Sequence, residues 1–193
     1  MRQLLIFFFL INTYLMGQNH PPLNEIPTAP ENAASGNIIA RMVQGLGYRY
    51  YWATKNLRIE DLSYRPSKEG ASAFETLAHI YGLAIIIRNA ATSSPTIRPI
   101  KSPPKDYNIL REKTLDYLEQ ASALFLNKTA AEVEQMQVIF QRGNDLYHYP
   151  VWNLLNGPLA DAIYHTGQVV SFRRTSGNPI QKSVNVFVGK TKE

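Results

Sequence analysis

Apolar side chains recur at steps of three and four residues over much of the chain, which is the spacing of one face of a helix. Residues 31–56 contain no proline and keep this spacing over their length. The apolar positions of this segment are Ile39, Met42, Leu46, Tyr50 and Ala53. The pattern predicts a first helix that turns these side chains toward a core.

Further helices are marked by their first residues. Ser72 and Glu75 have the spacing of a capping box, and the apolar TLAHIYGLAIII after them predicts a second helix that is buried on most of its surface. A proline-rich loop follows, and a third helix begins near Tyr107, with apolar steps typical of a helical bundle. Thr129 and Glu132 form another capping box, which predicts a short helix.

The last part of the chain predicts a fourth long helix. Residues 136–149 are expected to be irregular, with a short strand near Met136–Phe140. The fourth helix is expected over residues 151–174, ended by Ser-Gly-Asn-Pro. The predicted fold class is therefore all-α, a four-helix bundle with a short extended tail. The tail is indicated by the alternation of Val184, Val186 and Val188.

The first residues have the layout of a secretory signal peptide. Arg2 supplies a positive charge, and an apolar run from Leu4 to Met16 precedes small Gly17. The alternative is a membrane anchor, but the run is shorter than the roughly 20 residues that a bilayer span needs. We expect cleavage after about residue 17 or 18, a periplasmic or secreted protein, and no stable membrane anchor afterwards. The expected division is a signal peptide at 1–17, a proline-rich leader at 18–30 and one domain at 31–193.

Composition narrows the chemistry. Cysteine is absent, which excludes disulfides, thiolate metal sites and a cysteine nucleophile, so a metal would need His, Asp, Glu or water. The 20 Lys and Arg residues against 15 Asp and Glu residues give a diffuse net charge of +5. This is unlike the dense basic stripe of a nucleic-acid-binding protein, and we expect no nucleic-acid partner. Of the four histidines, His20 and His148 are expected at the surface.

One group of polar side chains interrupts an apolar helix face. Asp161 and His165 lie four residues apart in the fourth predicted helix, and Gln168 shares their face. His79 is the strongly polar ionisable side chain in the apolar second helix. Two imidazoles and one carboxylate from facing helices could form a three-ligand metal site with open positions for water or substrate. The alternative is a buried Asp–His hydrogen bond beside a satisfied core histidine.

Three stretches resemble the DinB-like (YfiT-like) metal-binding four-helix-bundle superfamily, which is distinct from the similarly named DNA polymerase. They are LSYRPSKEGASAFETLAHIYGL, YPVWNLLNGPLADAIYHTGQVVSFRR, and the closing SGNP with VNVFVGK. They cover most of residues 57–90 and 147–190. The last two are similar to a secreted branch from Bacteroidetes-type bacteria, whose members end the fourth helix in HxGQxxSFRRxSGNP.

The resemblance implies a metal triad of one histidine on the second helix and an HxxxH pair on the fourth. His79 and His165 match it, whereas Asp161 stands at the first position of the pair. A His/Asp/His set implies a divalent metal, with Zn or Ni first and Fe or Mn next. The departure equally allows weaker metal binding or a site that has lost its metal. Gln168 and Glu75 would then support the ligands or contact the substrate.

The resemblance also implies a metal-dependent enzyme. Activities of the superfamily include thiol-dependent transfer and isomerisation, and hydrolysis or formation of amide bonds. The resemblance implies a hydrolase or transferase acting on a small molecule. Export argues against transferases that use a cytoplasmic thiol, so hydrolysis, or other chemistry on an extracellular small molecule, is favoured. No catalytic residue is assigned. The alternative is a non-catalytic binding or structural bundle without metal.

Several other side chains have competing interpretations. Core packing explains most of the aromatic run on the first helix, although exposed members of it would suit a homodimer. Trp152 and Tyr164 are likewise expected to pack in the core. Arg173 and Arg174 suit the dipole at the end of a helix. With Lys182 they would alternatively bind an anionic group.

Overall fold

Four long helices and two small sheets make up the part of the chain that the computed structural model describes, residues 22–100 and 102–192. The helices are α1 (Ser35–Thr54), α2 (Ile59–Ser63), α3 (Ala73–Ala90), α4 (Tyr107–Phe125), α5 (Ala130–Glu134), α6 (Trp152–Leu154) and α7 (Ala160–Thr175). The strands are β1 (Pro95–Ile97), β2 (Gln137–Arg142), β3 (Asp145–Pro150), β4 (Val184–Asn185) and β5 (Lys190–Thr191). The long helices α1, α3, α4 and α7 correspond to the four that the apolar pattern predicts. Within the described residues, no helix is both long and apolar enough to cross a membrane.

Side-chain caps begin α3 and α5 at the expected residues, and a further cap begins α4. The Glu75 amide donates to Ser72 Oγ (3.1 Å), and the Ser72 amide donates to Glu75 Oε2 (2.8 Å), so the predicted capping box is confirmed. Thr129 and Glu132 make the same reciprocal pair at the start of α5. Asp106, which the sequence analysis does not single out, caps α4. Each cap satisfies a backbone amide that has no partner within its helix.

The core lies between the four long helices. Both α1 and α3 pack against α4 and α7. Met42 was expected to face this core, but it is 47% exposed. At about 100° per residue, Met42 lies about 60° from Ile39 around the helix axis, at the edge of the buried stripe. The largest fully buried side chains are Leu46, Tyr48, Tyr50, Leu77, Ile80, Ile87, Leu110, Leu115, Leu118, Phe125, Leu154 and Leu159.

The predicted fourth helix is interrupted. A wide π-helical turn, Leu155–Leu159, separates α6 from α7, and Gly157 within it has non-helical angles (φ −99°, ψ −107°). The next residue, Pro158, has no amide hydrogen to donate, and its ring crowds the carbonyl of the preceding turn. The expectation of one continuous helix over residues 151–174 is therefore wrong at this point, although the end near Thr175 is as predicted.

Strand β2 confirms the short strand expected near Met136–Phe140, but it belongs to a three-stranded sheet, and the rest of residues 136–149 is not irregular. Strand β2 pairs in parallel with β1 and antiparallel with β3, and residues 137–150 form a hairpin. Its two-residue turn begins at Gly143, whose φ of +59° is favourable for glycine. The sheet packs beside α3. The fold is thus a four-helix bundle with added β-structure, and the prediction of a purely all-α chain is not confirmed.

The C-terminal tail is a second small sheet, not an extended strand. Strands β4 and β5 pair antiparallel, and the alternating valines run into the turn between them. Phe187 at this turn is 95% exposed. The tail is tied to the leader, because the Ile26 amide donates to the Gly189 carbonyl (2.8 Å) and Lys190 pairs with Glu25.

The later part of the predicted leader packs on α1. Leu23 is buried against Gly47, where an added Cβ would meet the Leu23 side chain at 2.2 Å. The indole of Trp52 donates to the Asn24 carbonyl (3.0 Å). The predicted signal peptide at 1–17, and the leader as far as residue 21, lie outside the described residues.

Candidate metal site

Two packed helices bring the three predicted ligands together. His79 lies on α3, and Asp161 and His165 lie one turn apart on α7. Asp161 Oδ2 is 3.1 Å from His79 Nε2, and Asp161 Oδ1 is 3.2 Å from His165 Nε2. One donor atom from each residue lies within 4.8 Å of the other two. The carboxylate therefore stands between the two imidazoles.

Gln168 holds the ring of His165 from the side away from Asp161. Its amide oxygen lies 2.7 Å from His165 Nδ1. When Nδ1 carries the hydrogen of the neutral ring, it donates to this amide oxygen, and Nε2 can offer its lone pair toward Asp161. Gln168 thus occupies the position that the resemblance implies for a residue supporting a ligand.

The site is more open than the sequence suggests. The second helix was expected to be buried on most of its surface, yet the His79 side chain is 51% exposed and that of Asp161 is 41% exposed. His165 is the most enclosed, at 23%. His79 lies at the boundary of the buried face of α3, so the triad sits at a surface that solvent and small molecules can reach.

A cavity of about 740 Å³ opens beside the triad, with His79 and Asp161 in its wall. The turn before α7 contributes Asn156, Gly157 and Pro158 to this wall. Apolar side chains of α3 and the sheet line much of the remainder. Its other lining residues are Ala78, Tyr81, Gly82, Leu83, Ile86, Arg98, Ile100, Pro103, Phe140, Ala160 and Tyr164.

Glu75 is engaged elsewhere. Its two carboxylate oxygens accept hydrogen bonds from the Arg65 guanidinium and the Ser72 amide, each at 2.8 Å. These bonds, chiefly the one from Arg65, lower the pKa of Glu75 to about 2. The contacts account for the carboxylate without the metal site, so a role for Glu75 toward a ligand or substrate stays a prediction.

The third histidine of the described residues, His148, lies on the sheet. His148 Nδ1 is 2.8 Å from Gln137 Oε1, across the pair of strands β2 and β3. Its expected surface position is confirmed, since β3 is exposed along its length.

The exposure of the aromatic side chains differs from the expectation. The run Tyr48, Tyr50, Tyr51 and Trp52 is buried, so it offers no exposed surface to a second copy of the chain. Trp152 and Tyr164 were expected in the core, but they are 71% and 64% exposed. Tyr164 lines the cavity, and its ring packs edge-on against that of His165. Both residues lie on the outer side of the broken fourth helix. The apolar periodicity, which predicts one continuous helix, could not indicate this exposure.

Arg173 has a structural role. Its buried guanidinium donates to the carbonyls of Trp52, Ala53 and Lys55, which otherwise lack helical partners at the end of α1. It also donates to the Asn178 carbonyl. The alternative of an anion site formed with Arg174 and Lys182 is therefore wrong for Arg173.

Asp61 anchors a neighbouring hydrogen-bond network that the sequence analysis missed. Its buried carboxylate accepts hydrogen bonds from Arg58, from Ser176 Oγ (2.5 Å) and from Asn178 Nδ2 (2.6 Å). The Ser-Gly-Asn-Pro segment therefore holds the end of α7 to α2. The i,i+3 spacing of Arg58 and Asp61 was the available signal in the sequence.

The helix arrangement, with a His/Asp/His group between the second and fourth long helices, defines a DinB-like fold with a candidate divalent-metal site. Among solved structures, the chain is similar to the crystal structure of a DinB-like protein, YjoA, from Bacillus subtilis. The TM-score is 0.54 and the identity 17%, over 72% of this chain and 92% of that chain. This likeness shows the fold alone, so the assignment to a secreted branch stays a prediction. No family model and no curated protein matches the chain.

Proposed function

We propose that the protein is exported, binds a divalent metal through His79, Asp161 and His165, and is a metal-dependent hydrolase or transferase of a small molecule. The observation that carries the proposal is the convergence of three donor atoms within 4.8 Å of one another, at the wall of an open cavity. A catalytic metal needs both features, because some of its coordination positions must remain accessible to water or substrate.

The chemistry of the donor set fits a cation. In the tautomer that carries its hydrogen on Nδ1, the neutral His165 ring directs a lone pair from Nε2 toward the Asp161 carboxylate, 3.2 Å away. Two acceptors that face each other repel, and a cation between them replaces the repulsion with two attractive contacts. Gln168 keeps the ring in this orientation, as residues behind metal-bound histidines commonly do.

Two imidazoles and one carboxylate suit Zn or Ni, with Fe or Mn as further candidates. When bound, such a metal acts as a Lewis acid that polarises a substrate group. The residues of this chain do the rest. Gly82 and Ile86 of α3 give the cavity an apolar wall, and Tyr164 also lines it, with its ring edge-on to that of His165. A small molecule in the cavity is thereby placed against Asp161.

Export is proposed from the charged and apolar pattern of the first 17 residues. Cleavage after residue 17 or 18 would leave intact the contacts of Leu23 and Asn24 with α1. Mass spectrometry of the N-terminal peptide, recovered from the periplasm or medium, should find a chain that begins at about residue 18 or 19. A chain that retains Arg2 in the mature fraction would contradict export by this route.

Metal content tests the site directly. Purified wild-type protein should carry about one equivalent of metal per chain, measured by plasma mass spectrometry. His79→Ala, Asp161→Ala and His165→Ala should each lose most of it. His148→Ala is the matched control, because it removes a histidine that lies on the sheet, and it should keep the wild-type content. Equal and negligible metal in the wild type and His165→Ala would overturn the proposal.

A non-catalytic bundle without metal is the second candidate, because Asp161 already contacts both histidines directly. The two candidates differ in their response to chelation. A ligand that binds only the folded state raises the melting temperature. EDTA should therefore lower the melting temperature of the wild type, and added Zn or Ni should restore it, with no such response in His165→Ala. An unchanged wild-type melting temperature would favour the bundle without metal.

A further inference from the structure

The wall of the cavity beside the triad includes a cationic side chain, that of Arg98. His79 and Asp161 line one part, and Arg98 and Phe140 line another. At about 740 Å³, the cavity lies within the range of roughly 300–1,000 Å³ that is typical of small-molecule sites. Between the polar parts the wall is largely apolar, with Leu83, Ile86 and Ile100 among its residues.

Arg98 is held in place at the edge of the sheet. Its amide donates to the Gln141 carbonyl (2.7 Å), directly after the residues of β1 that pair with β2. The carbon at the centre of its guanidinium lies 5.4 Å from the centre of the Phe140 ring. This stacking orients the group against a residue that also lines the cavity, which lowers the entropy lost when the guanidinium binds an anion.

The charge of Arg98 is not neutralised within the described part of the chain. None of the ion pairs of residues 22–100 and 102–192 includes Arg98 or Arg142. Both arginines line an adjoining cavity of about 470 Å³, which shares Arg98 and Ile100 with the first. Asp161 is the acidic residue in the wall of the larger cavity, and it belongs to the triad. The Arg98 end of the cavity is therefore positive.

We propose that the cavity binds a small molecule with a carboxylate or similar anionic group, which Arg98 pairs with at the sheet edge while Arg142 adds to the local positive potential. The apolar body of the molecule lies along α3 and Phe140. Resting on the proposed function, another part of the molecule lies at His79 and Asp161, which line the same cavity. The substrate class is thus an amphiphilic anion whose charged group and reacting group contact different residues of one cavity.

Binding of a matched pair of probes tests this inference. The probes are 4-phenylbutyrate and its neutral amide, 4-phenylbutyramide, which differ chiefly in charge. Isothermal titration calorimetry on the mature protein, both EDTA-treated and Zn-loaded, should show the acid binding about tenfold more tightly than the amide, since a charge-assisted pair with arginine is lost in the amide. The preference should weaken as salt rises.

Substitutions test whether the preference for the acid depends on Arg98. Arg98→Gln should bind the two probes equally, and Arg142→Gln should keep a reduced preference. Arg174→Gln, which removes an exposed arginine outside the cavity, should behave as the wild type. Circular dichroism melting checks that Arg98→Gln is folded, and Arg98→Lys should restore part of the preference.

The inference is overturned if, in both metal states, the wild type binds neither probe or shows no preference for the acid, or if folded Arg98→Gln keeps the full preference. The two proposals can fail independently. If the purified wild type carries no metal but its EDTA-treated form still prefers the acid, the metal proposal fails and the anion-binding proposal stands.

Discussion

Gln168 Oε1 lies 2.7 Å from His165 Nδ1, one turn further along α7, while Nε2 of the same ring lies 3.2 Å from Asp161 Oδ1. Without Gln168, the ring is free to place its hydrogen on either nitrogen and to rotate. Partners of this kind commonly change metal affinity by about 10–100-fold.

Gln168→Ala is therefore expected to weaken Zn binding by about tenfold without unfolding the bundle. Competition with a chromophoric chelator measures the affinity. Ser171→Ala, an exposed substitution on the same helix, is the matched control and should leave the affinity unchanged. Identical dissociation constants for Gln168→Ala and the wild type would show that the hydrogen bond does not tune the site.

Asp161→His tests whether this position is a ligand. The substitution creates the HxxxH spacing that the resemblance implies, and imidazole suits Zn and Ni well. We expect Asp161→His to retain about one equivalent of Zn, whereas Asp161→Ala loses it. Metal analysis of the two purified variants measures this directly. Equal retention in both would mean that the side chain at position 161 contributes no ligand.

The network around Asp61 makes stability depend on pH. Hydrogen bonds from the Arg58 guanidinium, and from Ser176 and Asn178, hold the pKa of the Asp61 carboxyl well below its usual range. A lowered pKa in the folded state means that the stabilisation is complete above the unfolded-state pKa of about 4 and is lost as pH falls below it.

Asp61→Asn should lower the free energy of unfolding by about 2 kcal/mol at neutral pH, because the charge-assisted hydrogen bonds to a buried carboxylate are lost. The difference from the wild type should narrow between about pH 4 and pH 2. Urea denaturation across this range measures it. Asp116→Asn, an exposed change on α4, should match the wild type, and a difference that stays constant with pH would contradict the assigned cause.

Arg173 is buried and its neighbour Arg174 is exposed, so the same substitution at the two positions separates the effect of burial from the effect of charge. Arg173 is 4% exposed and donates to carbonyls at the end of α1, whereas Arg174 is exposed. Arg173→Met should lower the free energy of unfolding by about 3 kcal/mol, since several buried carbonyls lose their donors. Arg174→Met should change it little. Thermal and urea unfolding compare the two, and equal effects would show that the buried bonds do not stabilise the fold.

The helical part of the fold could be predicted because caps and periodicity are local signals. Ser72 and Thr129 carry their partners three residues away, so the starts of α3 and α5 were visible in the sequence. The sheet was less visible, because β1 joins β2 across more than 30 residues and such pairing leaves no local pattern.

The candidate ligands could be predicted for the same reason, since Asp161 and His165 share a helix face. The cavity could not be predicted from the sequence. Its walls join α3, the turn before α7 and the sheet, and the charge of Arg98 becomes meaningful only when Phe140 is seen beside it. Pro158 is a local signal for the break, although the apolar pattern over residues 151–174 predicts one continuous helix with Gly157 and Pro158 in its interior.

The break at Gly157 determines which part of the cavity can change its shape. Asn156, Gly157 and Pro158 form cavity wall on one side of the break, while Asp161 and His165 lie on the regular helix beyond it. Substitutions in the turn would change this wall, whereas packing of α7 on α1 and α3 holds Asp161 and His165 in place. The break therefore separates the segment that shapes the cavity from the segment that carries the candidate ligands, so the shape of the cavity can vary while the triad keeps its geometry.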